Sequence, residues 1–153
     1  MLFSIKHCLL ESYVGWRASI DTHTSLYFYK EIKSTFQMSP YITLLQNIKY
    51  RNILAKLRLS SHNLQIESGR HLKIPRPDRK CILCNLNDIE DEFHFVLVCP
   101  FYSDLRAQFI PKYYTKNPNM IKFIALLNIE KKSVLTKLAV FCIKAFERRD
   151  TSV

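Results

Sequence analysis

The sequence predicts a small, mostly α-helical domain stapled by zinc, and three observations carry that prediction. Glycine occurs only at Gly15 and Gly69 in 153 residues, so folds built on glycine-rich turns or a phosphate-cradling loop have little to work with. Leucine and isoleucine recur at three-to-four spacing through the middle and end of the chain, the period of one helix face. Between those stretches, "CILCNLNDIEDEFHFVLVCP" (Cys81 to Pro100) gathers three of the five cysteines and one of the five histidines. A chain of this length is about one domain.

Residues 1–38 hold Phe3, Tyr13, Trp16, Tyr27, Phe28, Tyr29 and Phe36 without a clear period, which predicts short helices or strands in a poorly defined segment. From Ser39 the signal sharpens. Ser39 suits a helix cap and Pro40 the first helical position. Leu44, Leu45, Ile48, Leu54 and Leu57 then keep helical spacing among Lys49, Arg51, Lys56 and Arg58, predicting one basic amphipathic helix to about Ser60. Residues 62–80 form a basic connector, with Gly69 a positive-φ turn and Pro75 and Pro77 excluding regular helix.

Within the cysteine stretch, Asp88 caps a short helix from about Ile89 to Val98, and Glu90, Asp91 and Glu92 suit the positive end of its dipole. A further helix starts at Pro100 and ends before Pro111. The last one, capped by Ser133, puts Leu135, Leu138, Cys142 and Phe146 on one stripe. The organisation is thus 1–38, a basic helix and connector over 39–80, the knuckle over 81–100, and C-terminal helices over 101–153.

Net charge is +10, a field that concentrates polyanions, and its distribution is uneven. Residues 51–80 carry eight basic groups against two acidic, 101–153 ten against four, and 81–100 four acidic and none basic. The cysteine segment is an acidic island between basic flanks. No stretch approaches the roughly 18 consecutive apolar residues of a membrane span. Lys6, His7 and Glu11 interrupt the N-terminal apolar run where a signal peptide needs continuity. These features predict an intracellular protein, nuclear or cytoplasmic, in a thiol-reducing setting where clustered cysteines mean metal before disulfides.

Cys81, Cys84, His94 and Cys99 form C-x2-C-x9-H-x4-C. Two cysteines separated by two residues turn both sulfurs to one ion, and His and Cys five apart close a tetrahedron from a helix end or turn. Three thiolates and an imidazole favour a single Zn²⁺ over magnesium or calcium. Four protein ligands leave no position for water or substrate, so the ion is structural. Arg79 and Lys80 offset the net negative charge of the loaded site. The competing reading makes the three cysteines small core residues. Cys142, on an apolar stripe, and Cys8, with no partner at ligand spacing, fit that reading better than metal binding. His62 and His71 stand as substitutes for His94 that the complete set does not need.

From Leu57 to Arg106 the chain resembles the zinc-binding segment that follows the polymerase domain in non-LTR (LINE-like) retrotransposon reverse transcriptases. The shared features are Arg58 to His62 (R-x-S-S-H), Ile66 to Arg70 (I-E-x-G-R), the Cys81 to Cys84 knuckle, Glu90 to Phe95, and Cys99 to Tyr102. The resemblance covers about fifty residues and implies a tail that helps a reverse transcriptase hold RNA or DNA. It carries over the four ligands but no enzyme activity. The polymerase's Tyr-Asp-Asp motif is absent, and Glu130, Glu147 and Asp150 are too sparse for a nuclease site after the knuckle.

Three functions follow for comparison. The first is a nucleic-acid-binding module, with Arg51, Lys56, Arg58, Arg70, Lys73, Arg76, Arg79 and Lys80 on phosphate and Tyr50, Tyr113 and Tyr114 as stacking candidates. The second is an interaction or scaffold module, in which Asp88, Glu90, Asp91, Glu92, Phe93 and Phe95 meet a protein partner such as a polymerase domain. The third, a small zinc hydrolase, needs an open metal position and His62 or Glu92 as a base.

Overall fold

The computed structural model describes residues 2–22 and 26–153; the side chains of residues 2–11 and of Tyr27 lie outside the description, and with them the readings for Phe3, Cys8 and Tyr27. The described chain is mostly helical. Its α-helices are α1 (Leu2–Thr22), α2 (Tyr27–Ile32), α3 (Pro40–Leu44), α4 (Ile48–Arg58), α5 (Gln65–His71), α6 (Ser103–Phe109), α7 (Lys112–Thr115), α8 (Met120–Leu127) and α9 (Lys132–Asp150). Among the described residues there is no strand, only an antiparallel bridge between Lys80 and Ile89.

α3, α4 and α6 pack on α9. Leu135, Leu138, Ala139, Phe141, Cys142 and Ala145 are buried along it. Phe95 stacks on Phe146 at 4.5 Å between ring centroids and meets Tyr102 edge-on at 5.0 Å, so the cysteine segment joins the same core. α2 packs on α4 and α8, with Phe28 edge-on to Phe123. One apolar cluster therefore draws on residues from Phe28 to Ala145. Burial of that cluster is the main favourable term in folding.

Buried arginines tie the helices together. Arg58 is 2 % exposed; its Nη1 donates to the Leu127 carbonyl at 2.7 Å and its Nη2 to Asn128 Oδ1 at 3.1 Å, fixing α4 to the end of α8. Arg106 donates to the carbonyls of Val96 and Cys99. Each guanidinium donates to carbonyls at or near helix ends.

Several local expectations are corrected. The single helix over 39–60 is two: Leu45 is extended (ψ 115°), and Asn47 starts α4 afresh, its side chain accepting from the Lys49 amide. Ser39 does sit at the N-cap and Pro40 at the first position of α3. The connector contains α5, and Gly69 lies within it in helical geometry; the positive φ falls on Lys73 (59°) instead. Glycine at 69 serves close approach, since a Cβ there would lie 2.7 Å from Arg79 Cγ. The segment 1–38 holds a helix of 21 residues where only short elements were expected. α9 begins at Lys132, with Ser133 inside its first turn.

Candidate metal centre

The knuckle is built by a hairpin-like loop and one wide helical turn. Cys81 N donates to the Asp88 carbonyl at 2.9 Å and Glu90 N to the Arg79 carbonyl at 3.0 Å, closing the loop that carries Cys81 and Cys84. Asn87 takes the positive φ (56°) that the reversal needs, a conformation asparagine tolerates better than most residues. Beyond it, His94–Val98 is a π-turn, with Cys99 N donating to the His94 carbonyl at 2.7 Å. This answers the x4 spacing. In an α-helix two residues five apart point about 140° away from each other, so His94 and Cys99 need the wider turn to face one point.

The four side chains do converge. Sγ of Cys81, Cys84 and Cys99 and a ring nitrogen of His94 all lie within 4.8 Å of one another. Cys81 Sγ is 3.9 Å from Cys99 Sγ, and Cys84 Sγ is 3.4 Å from His94 Nε2. Cys81, His94 and Cys99 are buried and Cys84 is half-buried, so the group opens to solvent on one edge only. Each sulfur also takes a backbone amide two residues on: Leu83 for Cys81, Leu86 for Cys84 and Phe101 for Cys99. Such amides favour the thiolate form. The bond to Cys99 and burial push the Cys81 thiol up to about 12, while the bond to Cys81 lowers Cys99. Three sulfurs and an imidazole nitrogen this close could hold one metal ion.

Around the donors, Glu90, Asp91 and Glu92 each have a structural task. Asp91, not Asp88, caps the turn, its Oδ1 accepting from the His94 amide at 2.9 Å. Asp88 Oδ2 lies 3.9 Å from His94 Nδ1, beyond hydrogen-bond range. Glu90, 1 % exposed, receives the Gln65 amide (2.8 Å) and Arg149 Nη2 (3.0 Å) on Oε2, with Cys81 Sγ 3.8 Å from Oε1. Glu92 accepts from Ser60 Oγ and faces His62 Nε2 at 3.0 Å. The island thus ties the knuckle to α5, to the end of α4 and to α9. Arg149 was not readable as a site residue, because only the packing of a distant segment brings it to Glu90.

The eight basic candidates divide by exposure. Lys56 and Lys73 are exposed, and Arg51 and Lys80 are half-exposed. Arg76 is half-exposed and 4.0 Å from Asp91, while Arg70 lays both Nε and Nη2 on Glu67 Oε2. Arg79 spends Nε on the Ile74 carbonyl and Nη1 on the Ile66 carbonyl, both at 2.9 Å, so it braces the approach to Cys81. Arg58, bound to Leu127 and Asn128 inside the core, is removed from any phosphate-contacting set by its burial. Tyr114 is likewise buried, Tyr50 is half-buried and Tyr113 is exposed. Burial of Glu90, Glu92 and Phe95 also withdraws half of the six acidic and aromatic residues expected to meet a protein partner.

The fold and site define a helical protein with a closed Cys3His group able to hold one metal ion. No family model, no curated protein and no solved structure matches the chain. No helix among the described residues is long and apolar enough to cross a membrane.

Proposed function

We propose that the ion is a structural Zn²⁺ and that the chain is a non-catalytic nucleic-acid-binding module, of the kind that follows the polymerase domain in non-LTR retrotransposon reverse transcriptases. The convergence of three sulfurs and one imidazole carries this reading. Zn–S bonds near 2.3 Å and a Zn–N bond near 2.0 Å set tetrahedral S···S and S···N distances of about 3.8 and 3.5 Å. The 3.9 and 3.4 Å separations fit those values. Soft thiolates select zinc over hard cations, and four protein ligands leave no open position for catalysis. The basic flanks support a polyanionic partner: Lys56, Lys73, Arg51 and Lys80 face solvent at least in part, and each phosphate they neutralise releases a counterion. The knuckle itself carries no Lys or Arg from Cys81 to Pro100, so its task is to position the flanks.

Metal analysis of the purified chain is expected to give one zinc per molecule, and Cys84→Ser to lose it together with the folding of the central segment. Full zinc content and unchanged melting in Cys84→Ser overturn the metal assignment. Titration with labelled RNA and DNA is expected to show affinity that falls as salt rises; millimolar, salt-independent binding overturns the nucleic-acid reading.

A further inference from the structure

We propose that the surface of α7 and the start of α8 is a contact site for an unpaired nucleic-acid strand, with Tyr113 stacking a base and Lys112 and Lys116 holding its phosphates. This rests on the nucleic-acid reading above and names the surface and the strand state it recognises.

α7 is a four-residue helix whose two adjacent tyrosines differ in exposure. Tyr114 is buried and anchors the turn, packed edge-on to Tyr113 with 5.1 Å between ring centroids. Tyr113 is 67 % exposed, a large aromatic ring held in water. Its position is defined rather than loose. Lys122, from α8, places Nζ 5.0 Å from the Tyr113 ring centroid and donates to the carbonyls of Lys116 (2.5 Å) and Asn117 (3.4 Å). Asn119 caps α8 by accepting from the Lys122 amide, which fixes where that lysine starts. Asn117 takes a positive φ (49°), turning the chain between α7 and α8. The ring is therefore braced on one side by a cation and on another by Tyr114, and most of its area stays in solvent.

The charge around it has one sign. From Leu105 to Ile129 there is no acidic residue, while Lys112, Lys116 and Lys122 surround the ring in sequence. Lys112 and Lys116 are exposed, and neither has an acidic partner among the described residues. An exposed aromatic flanked by unpaired lysines complements a strand with phosphates outside and free base faces inside. Paired bases hide those faces, so the site selects unpaired strands. The turn also packs against the π-turn that bears His94, so the metal staple sets where Tyr113 stands.

The test is fluorescence-anisotropy titration of the zinc-loaded full chain with one labelled sequence as single-stranded RNA, single-stranded DNA and duplex DNA, across a salt series. Removing one stacked base contact by Tyr113→Ala is expected to weaken single-strand binding roughly 5- to 150-fold and to leave duplex binding within about twofold. Tyr113→Phe, which keeps the ring, is expected to bind as wild type. Lys112→Ala with Lys116→Ala is expected to flatten the single-strand salt slope by about 1.4, the share of two phosphates. Zinc content and melting should be unchanged in all three variants because these side chains are exposed. Preference between the RNA and DNA arms names the strand's source. Wild-type binding that none of these variants alters overturns this surface while leaving the nucleic-acid reading intact; failure of the wild type to bind any of the three probes overturns both.

Discussion

Replacing Arg149 by Met probes the tie between the knuckle and α9. The Arg149 and Glu90 side chains are 2 % and 1 % exposed, and Nη2 lies 3.0 Å from Oε2. Met retains the apolar stem but leaves a buried carboxylate facing only the Gln65 amide and the Cys81 sulfur. Burial already raises the Glu90 carboxyl above its ordinary range, and Arg149 is the strongest influence opposing that rise. Removing one partner of a buried pair costs about 3–5 kcal/mol, a large share of the roughly 5–15 kcal/mol that holds a domain folded. Glu90→Gln instead removes the charge facing the guanidinium, leaving its Nη2 the Asn63 carbonyl as a partner. The double variant removes both charges, so it should be less destabilised than the sum of the single changes by about 0.5–3 kcal/mol. Urea unfolding followed by helical circular dichroism, with zinc content measured alongside, gives all three values. A cost below about 1 kcal/mol for Arg149→Met, or strict additivity in the cycle, refutes the coupling.

Gly69→Ala should destabilise the chain although alanine favours helix by about 1 kcal/mol, because its Cβ displaces Arg79 from the Ile66 and Ile74 carbonyls. Adding Arg79→Ala should recover part of the steric loss, read by thermal melting. Phe141→Ala, fully buried on α9, should cost about 3–5 kcal/mol in urea unfolding. The bidentate bonds from Arg148 hold the Asp104 carboxyl well below its usual range. A depressed carboxyl stabilises the fold above its unfolded value, about pH 4, and that contribution fades as pH falls further. Asp104→Asn should therefore melt lower than wild type at pH 6 and converge with it in strong acid; a gap independent of pH contradicts the pair. Burial also raises the Cys142 thiol far above its ordinary range. Iodoacetamide should label Cys81, Cys84 and Cys99 after chelation well before Cys142, followed by peptide mass analysis.

The ligand set was legible in the sequence because metal spacing is local: Cys81 with Cys84, and His94 with Cys99, are separated by a single turn each. Helix type was legible for the same reason, since the spacing of Leu135, Leu138 and Cys142 reports which face is buried. The Leu45 break was not, because nothing in its own residue type forbids helix. Gly69 was misread for a related reason: what requires glycine there is Arg79, ten residues on and folded back against it.

By itself the sequence determined a mostly helical chain, one Cys3His cluster and two basic flanks around an acidic island. The tertiary structure decided what those charges are for. Arg58, Arg79, Arg106 and Arg149 carry the same charge as Lys56 or Lys112, yet packing turns them onto carbonyls and a buried carboxylate, while the lysines stay in water. Glu90 and Glu92 likewise become internal partners and not a surface. Charge is written residue by residue, but desolvation depends on which distant segment arrives to cover it, and only the fold supplies that.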